Sequence, residues 1–360
     1  MPAYKNEQRG TWYCKFYYED WQGKRKQKKK EGFKTQREAK AYEREFLSKT
    51  TADCSMTFGS LVELYLEDCR SRLKPTTLYN KETMINTKLL PYLKDIPLSD
   101  FDAAKIRHWQ NELIAYRDEK GKPYSETYLK TVNNQLSAIF NYAQKYYKLP
   151  ENPVRVCGSI GKHNADSMQF WTLQEFKRFI SVLEDAPLQK IIFSLLFWTG
   201  MRSGELMALT LTDFDLDAKT VQISKNFAQL DGKDLILTPK TSKSKRTITL
   251  PDFLCNMLRE YTAKLYDYRP PERLFPVNKH YINYEMQKAC MAAGVKKIRV
   301  HDLRHSHISL LIEMGFSALA IADRVGHESI DITYRYAHLF PTKQTEMADK
   351  LDNERGLSFG

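Results

Sequence analysis

The segment from His301 to Tyr336 constrains the fold of this chain more than any other, because it joins helical periodicity to chemically active side chains. His301 and Arg304 stand three residues apart and so share one face of a predicted helix. Gly326 predicts the end of a second helix, and His327 follows it directly. Tyr336 comes nine residues after His327. We therefore expect the fold to bring two imidazoles, a guanidinium and a phenol together.

That set of side chains suits chemistry on a phosphodiester. Cations hold phosphoryl oxygens, imidazole forms hydrogen bonds or moves protons, and a phenol can be a covalent nucleophile. The composition agrees, since 56 Lys and Arg stand against 44 acids and give a formal charge of +12. A surface this basic fits a polyanion such as nucleic acid, or an anionic membrane.

Membrane and extracellular readings are disfavoured. No segment approaches the roughly 20 apolar residues of a spanning helix, and the N-terminus lacks the apolar core of a signal peptide. The six cysteines are scattered without a C-x-x-C pair, so neither a zinc site nor a disulfide framework is indicated. We expect a reduced cytoplasmic protein.

The length of 360 residues predicts two or three domains, and the pattern divides the chain further. Residues 1–50 contain two strand-like runs and a helix that Thr35 and Glu38 would cap, and they hold 14 Lys or Arg against seven acids. Residues 57–150 have helical periodicity, 151–168 are rich in turn formers and read as a linker, 169–340 mix helices with strands, and 341–360 form a tail. The predicted fold class is multidomain α+β: a small β-sheet with a helix, an all-helical domain, and a mainly helical domain with a small antiparallel sheet.

The order H-x-x-R, then G-H, then Tyr nine residues later resembles the active-site box of the tyrosine recombinase (phage integrase) family. The segment T-G-M-R-S-G-E-L around Arg202 is similar to the first box of that family, T-G-x-R-x-x-E-L. Residues 1–50 resemble the arm-type DNA-binding domain of integrases from temperate phages and conjugative transposons. The helical region corresponds in order to the family's core-binding domain.

The resemblance implies a set of six catalytic residues, with Glu205 orienting its neighbours. They are Arg202, Lys240, His301, Arg304, His327 and Tyr336. The two arginines would stabilise charge on the phosphate, His301 would act as general base, His327 would donate a hydrogen bond to the phosphate, and Lys240 would protonate the departing 5′ hydroxyl. Lys243 and Lys245 are rivals of Lys240 in the same lysine-rich loop.

Tyr334 competes with Tyr336 for the role of nucleophile. Two positions along a helix differ by about 200°, so both side chains cannot face one pocket. The nine-residue offset from His327 selects Tyr336. Taken alone, Arg202 and Glu205 would read as an ordinary salt bridge.

His301 and His305 also stand four apart, as in H-E-x-x-H zinc proteases. Asp302 replaces the glutamate, and Arg304 would place a cation beside the metal, so we predict no metal site. His305, His307 and His338 are interpreted as packing or surface residues.

The resemblance further implies a function and partners. We expect a site-specific recombinase that cleaves and rejoins DNA through a 3′-phosphotyrosine and a Holliday junction, integrating and excising a mobile element without a cofactor. A chromosome-dimer or plasmid resolvase, and a DNA-binding protein without catalysis, remain alternatives. The expected partners are double-stranded DNA at core and arm-type sites, a homotetramer on that DNA, an excision factor and a DNA-bending protein. The tail could dock on a neighbouring copy, dock on its own domain, or be disordered. The residues predicted to contact DNA outside the catalytic set are Lys24, Arg25, Lys26, Lys28, Lys29, Lys30, Lys74, Thr76, Thr77, Lys130 and Lys243.

Overall fold

The computed structural model describes residues 3–7, 10–19, 25–50, 56–162, 168–239, 242–334, 336 and 351. Contacts divide the chain into two compact units, Met1–Asp166 and Ser167–Gly360. Within the described parts of both units, every helix is too short or too polar to cross a membrane.

The first unit begins with an antiparallel three-stranded sheet and one helix; the sequence predicted the helix and two of the strands, and the short first strand was not predicted. The strands are β1 (Ala3–Asn6), β2 (Thr11–Glu19) and β3 (Arg25–Phe33), in that order, and the helix is α1 (Gln36–Thr50). Cys14 and Phe16 of β2 are buried with Ala39 of α1, because alternate side chains of a strand point to one face. Thr35 Oγ1 accepts a hydrogen bond from the Glu38 backbone N–H at 3.2 Å, so the predicted helix start is correct.

The remainder of the first unit is helical. Its elements are α2 (Phe58–Arg70), α3 (Pro75–Met84) continued by a π-helical turn (Ile85–Leu89) into α4 (Leu90–Leu93), α5 (Ala103–Ala115), α6 (Glu126–Tyr146) and α7 (Pro153–Cys157). The apolar stripe predicted on α6 is buried, including Leu129, Val132 and Leu136. These helices enclose one hydrophobic cluster built around Trp109, Phe58 and Phe140.

The predicted linker at 151–168 differs from the structure in its first part. Asn152 caps the short helix α7 by accepting from the Val154 N–H at 2.9 Å, and Val154 and Ile160 are buried in the helical cluster. The turn formers of this segment therefore cap a helix and pack against the domain. Residues 163–167 lie outside the described residues.

The second unit is mainly helical with small antiparallel sheets. Its helices are α8 (Leu173–Ser181), α9 (Pro187–Thr199), α10 (Ser203–Met207), α11 (Asp252–Ala263), α12 (Lys279–Ala293), α13 (Asp302–Glu313), α14 (Ala318–Val325) and α15 (Asp331–Tyr334). Strands β4 (Phe214–Asp215), β5 (Thr220–Ile223) and β8 (Arg246–Thr249) form one sheet, and β6 (Asn226–Leu230) and β7 (Lys233–Leu237) form a separate hairpin. Asp231 and Gly232 make the turn of that hairpin with positive φ at both residues, as the D-G pair predicts.

Two helix boundaries of this unit position the site. Thr172 and Glu175 form the predicted capping box at the start of α8. Gly200 ends α9 in the left-handed conformation, and a Cβ there would lie 2.6 Å from the ring of His307. Glycine therefore lets the chain leave the buried helix α9 and pass close to α13.

Candidate active site

Arg202 is the N-cap residue of α10 and stands two residues after Gly200, which ends α9. Its Nη1 donates to Glu205 Oε1 at 2.7 Å, and its backbone N–H donates to Glu205 Oε2 at 2.9 Å. Its Nη2 lies 3.5 Å from the Gly326 carbonyl oxygen. Arg202 is thus fixed between its own helix and the loop that carries His327, while about a third of its side chain (36%) stays exposed.

Glu205 is buried between two arginines. Arg246 Nη2 donates to Glu205 Oε2 at 2.9 Å, and Arg246 Nη1 lies 3.3 Å from Oε1. Burial alone raises the pKa of the Glu205 carboxyl, but Arg246 and then Arg202 outweigh it, so the net pKa is lowered. Glu205 is therefore a carboxylate at neutral pH, and it accepts two hydrogen bonds from Arg202.

Arg246, the first residue of β8, was not singled out by the sequence. Besides Glu205, its Nε donates to the Arg324 carbonyl oxygen at 3.0 Å, near the end of α14. A Cβ at Gly326 would lie 3.0 Å from Arg246 Cδ, so glycine also leaves room for this arginine. One buried guanidinium therefore connects the Arg202 helix, strand β8 and the His327 loop.

Arg304 lies in the first turn of α13 and is almost fully buried, with 3% of its surface exposed. Its Nη1 donates to the Gly200 carbonyl oxygen at 2.7 Å, whereas its buried Nη2 has no hydrogen-bond partner among the described residues. Burial first, and then the charge of Arg202, lower the pKa of Arg304 to about 9. A guanidinium this poorly compensated marks a pocket suited to an anion.

His301 immediately precedes α13, on the exposed side of the site. It borders a cavity of about 490 Å³ that Ser203, Lys279, Asn283 and Arg299 also line. Burial of its ring, then His305 and Arg304, lower the pKa of His301 to about 4. His301 is therefore neutral near pH 7, with open space beside it for a substrate.

His327 follows Gly326, which ends α14 in the left-handed conformation as predicted. Its Nδ1 is 2.8 Å from Thr333 Oγ1, and 7% of its surface is exposed. Burial and the charges of Arg304 and Arg202 lower the pKa of His327 to about 3. The same two arginines therefore border His327.

The two candidate nucleophiles differ in burial: α15 ends at Tyr334, and Tyr336 lies beyond its end. Tyr334 in α15 is 53% exposed, whereas Tyr336 is 2% exposed and packs with Ile308, Ile312 and Val325. The Tyr336 hydroxyl is in hydrogen-bonding contact with His305 Nδ1. His305, which we interpreted as a packing or surface residue, is thus the imidazole in contact with the phenol.

The lysine-rich loop between β7 and β8 is only partly described. Lys240 lies outside the described residues, so its predicted role stays a prediction. Lys243 Nζ donates to the Glu328 carbonyl oxygen at 3.2 Å, directly after His327. The rival lysine is therefore at the edge of the site.

The other residues predicted to contact DNA lie on several elements. Lys74, Thr76 and Thr77 are at the start of α3, and Lys130 of α6 donates to Ser159 Oγ at 2.7 Å. On β3, Arg25, Gln27 and Lys29 alternate with Lys26, Lys28 and Lys30. Lys24 is outside the described residues.

The buried histidines predict that stability falls in mild acid. Burial and then Arg324 lower the pKa of His307 to about 3, as burial and arginine charges do for His327. The unfolded chain takes up protons near pH 6.5, so it binds more protons than the folded chain between about pH 6.5 and 3, and stability decreases as pH falls. Each histidine contributes about 1.4 kcal/mol per pH unit in that window. Urea unfolding at pH 7 and pH 5 measures this effect.

The variant His307→Gln provides the control for this effect. Gln titrates in neither state, so the loss of stability between pH 7 and pH 5 should be smaller in the variant by the contribution of one histidine. An equal pH dependence in both proteins would show that His307 is not held neutral.

Comparison with known proteins agrees with this geometry. Residues 169–343 match the phage integrase family, residues 57–114 match the N-terminal SAM-like domain of phage integrases, and residues 2–50 match an Arm DNA-binding domain. The chain is 34% identical to the ICEBs1 integrase of Bacillus subtilis (strain 168) over 322 residues, which cover 83% of each protein. The chain belongs to the phage integrase family and is a site-specific tyrosine recombinase, as the motif spacing predicts.

Solved structures show the same fold at low identity. The integrase of transposon Tn1549, in complex with a circular intermediate DNA, has a TM-score of 0.66 at 18% identity and covers 84% of this chain and 99% of its own. A lambda integrase tetramer bound to a Holliday junction has a TM-score of 0.58 at 18% identity and covers 93% of this chain and 94% of its own. The predicted fold class, with an N-terminal sheet and mainly helical domains, is therefore confirmed.

Proposed function

We propose that Tyr336 attacks a DNA phosphate in a reaction that integrates and excises a mobile element. The observation that carries the proposal is the buried Arg304 guanidinium, whose Nη2 lacks a partner among the described residues, next to Arg202 and on the same helix as the His305 that contacts Tyr336. A phosphoryl oxygen supplies the anion that this pocket lacks. Attack by the phenol leaves a 3′-phosphotyrosine and a free 5′ hydroxyl.

The surrounding residues have distinct roles in this proposal. Arg202 and Arg304 stabilise charge on the pentacoordinate phosphorus, and Glu205 holds Arg202 in place. His301 and His327 face the same phosphate as hydrogen-bonding or proton-transferring groups. Lys240, with Lys243 as its rival, protonates the departing 5′ oxygen.

The scheme conserves the energy of the phosphodiester in the covalent bond to tyrosine, so ATP is not needed. A 5′ hydroxyl from a second duplex reverses the first step and joins the strands. Exchange of both strands of two duplexes needs four active sites, so the proposed assembly is a homotetramer on DNA. The lambda integrase tetramer on a Holliday junction supports that stoichiometry by similarity of fold. The reaction takes place in the bacterial cytoplasm, where the DNA lies.

The N-terminal sheet offers a second DNA-binding surface. Its outer face, opposite α1, includes Tyr4, Tyr13, Lys15, Tyr17, Arg25, Gln27, Lys29 and Glu31. Lys29 forms an ion pair with Glu31 on this face. Lys28 instead lies over the Phe46 ring of α1 at 4.3 Å. We therefore narrow the predicted contacts of this strand to the outer face. One protein that binds core and arm sites on the same DNA requires the duplex to bend, and a DNA-bending protein would lower the cost of that bend. An excision factor is the second proposed protein partner.

Substitutions on the two faces of β3 should differ in their effect on DNA binding. Lys29→Ala should weaken DNA binding by the full chain and reduce the slope of log affinity against log salt by about 1, because one phosphate contact is lost. Lys28→Ala on the opposite face should change neither quantity. Gel-shift titrations at several salt concentrations measure both. Equal effects of the two variants would contradict the assignment of the outer face.

The cleavage proposal is tested on a nicked duplex that carries the junction sequence of the element. The scissile strand is labelled at its 5′ end. The short fragment between the cleavage site and the nick diffuses away after cleavage, so its 5′ hydroxyl cannot religate the strand and the adduct persists. We expect a protease-sensitive, slowly migrating band on a denaturing gel, formed equally in EDTA. DNA binding without any such band on the junctions tested would support the non-catalytic alternative.

A further inference from the structure

His305 contacts the phenol of Tyr336, whereas the family resemblance implied His301 as the general base. Its Nδ1 contacts the Tyr336 hydroxyl, and the two ring centres are 5.7 Å apart. The His301 ring lies edge-on to the His305 ring at 5.2 Å. His301 also borders the exposed cavity.

A buried carboxylate lies on the other side of the His305 ring. Asp302 Oδ1 is 3.8 Å from His305 Nε2, and 1% of the Asp302 side chain is exposed. Arg299 fixes this carboxylate, since its Nη2 donates to Oδ1 at 2.8 Å and its backbone N–H donates to Oδ2 at 2.8 Å. The groups therefore follow the order carboxylate, imidazole, phenol. Activated nucleophiles on unrelated folds use the same order of orienting group, base and nucleophile.

The arrangement follows from local structure on both sides. Asp302 and His305 are three residues apart on α13, so they share one face of that helix. Tyr336 is tied to the His327 loop, because its N–H donates to the Thr333 carbonyl oxygen at 3.0 Å and Thr333 Oγ1 lies 2.8 Å from His327 Nδ1. The phenol therefore meets α13 beside the phosphate-binding residues.

We propose that His305 is a catalytic residue that accepts the phenol proton of Tyr336 during attack, with Asp302 as its positioning residue. The inference rests on the proposed function, in which Tyr336 is the nucleophile. The bond from Tyr336 Oη to phosphorus forms as the bond from phosphorus to O5′ breaks. The phenol proton moves to His305 Nδ1, and O5′ leaves with the bonding electron pair and takes a proton from a separate acid, the proposed lysine. When a 5′ hydroxyl attacks the phosphotyrosine, His305 returns its proton to the phenol oxygen.

The charges around His305 favour this direction of transfer. Burial, then Arg299 and Arg304, lower its pKa, while Asp302 alone raises it. The other groups near the ring are His301 on the same side of α13, Tyr336, and His327 from the loop after α14. His305 is therefore neutral near pH 7, and its Nδ1, which contacts the phenol oxygen, can accept a proton. Asp302 Oδ1 lies 3.8 Å from Nε2, beyond hydrogen-bonding distance, and acts on the ring through its charge.

The test compares wild type with His305→Gln in single-turnover cleavage of the nicked duplex. Gln can accept a hydrogen bond from the phenol but cannot take its proton. We expect a rate about 10²-fold lower near pH 7, within the usual contribution of a general base. The deficit should shrink as pH approaches about 10, where a phenol ionises without help. Melting temperature and gel-shift affinity verify that the variant folds and binds DNA.

A fluorinated tyrosine at position 336 separates proton transfer from a structural role. Such a phenol ionises at a lower pH than tyrosine, so it should restore much of the cleavage rate of His305→Gln near pH 7 and change wild type little. A structural role would leave the deficit equal for both phenols and at every pH, and that result would overturn the inference.

Two further variants, His301→Gln and Tyr336→Phe, separate a failure of this inference from a failure of the proposed function. If His301→Gln, rather than His305→Gln, shows the pH-dependent deficit that the fluorinated tyrosine restores, the proton moves to His301 and the inference is wrong, while Tyr336 stands as nucleophile. If Tyr336→Phe still forms the adduct, the proposed function itself fails. The two failures are therefore distinguishable.

Discussion

Replacing Tyr336 with Phe abolishes the covalent protein–DNA adduct, whereas replacing Tyr334 with Phe leaves it at the wild-type level. Removing a nucleophile reduces turnover on the order of 10⁴-fold or more, below detection on a gel. Tyr336 is buried against His305 and near Arg304, while Tyr334 is 53% exposed on the adjacent short helix. Because both variants lose one hydroxyl from neighbouring positions, Tyr334→Phe is a matched control for general effects on this segment.

The adduct on the nicked duplex is the readout for both tyrosine variants, and gel-shift titration verifies that each still binds DNA. Phe fills nearly the same volume as Tyr, so the packing with Ile308 and Val325 is retained. An adduct that persists in Tyr336→Phe and disappears in Tyr334→Phe would mean that the exposed tyrosine is the nucleophile.

Replacing Arg304 with Lys slows cleavage by about 10²- to 10³-fold, the range seen when one donor to a transition-state oxygen is removed. Arg304 Nη1 donates to the Gly200 carbonyl oxygen, and Nη2, which has no partner among the described residues, is the donor that we propose for the phosphate. A lysine ammonium at this position retains the charge. It lacks the planar, fixed set of donors with which a guanidinium can bind the Gly200 carbonyl oxygen and a phosphate oxygen at once. DNA affinity should change little, because the charge is kept and most contacts lie elsewhere.

Arg259→Lys is the control for this substitution. Arg259 is exposed on α11 and pairs with Asp217, away from the site, so its replacement should leave the cleavage rate unchanged. Single-turnover rates at saturating protein isolate the chemical step from binding. A rate for Arg304→Lys within about threefold of wild type would show that the charge alone, and not the two-sided guanidinium, is what the reaction requires.

The features that the sequence predicted well are those set by neighbours in the chain. The capping box of Thr172 and Glu175, the helix ends at Gly200 and Gly326, and the Asp231–Gly232 turn are all present. Each depends on a side chain or a positive φ within a few residues. Tyr334 and Tyr336 also differ in burial, although α15 ends at Tyr334 and helix geometry is therefore not the cause.

The features that the sequence did not predict depend on contacts between distant segments. His305 contacts Tyr336 across 31 residues, and Arg246 reaches Glu205 across 41. Motif spacing shows which residues lie on one helix face, but not which imidazole on that face meets the incoming phenol. The sequence held one signal for Arg246, which is an arginine at the start of a predicted strand. An arginine that becomes buried there requires an acidic partner.

Contacts between distant segments also explain why the first part of the predicted linker is a helix packed on the helical domain. Asn152, Pro153 and Gly158 read as turn formers, yet Asn152 caps a helix and Val154 fills the core of the helical domain. Turn formers and helix caps are the same residue types, so only the contacts of Val154 with distant helices resolve the two.

Peptide mass spectrometry of the trapped adduct identifies the tyrosine that carries the DNA. Trypsin cleaves after Arg335, so Tyr334 falls in the peptide 325–335 and Tyr336 in the peptide 336–343. After nuclease digestion of the DNA, we expect the nucleotide mass on the peptide 336–343, joined through the 3′ phosphate. The nucleotide on 325–335, or a linkage through a 5′ phosphate, would contradict it.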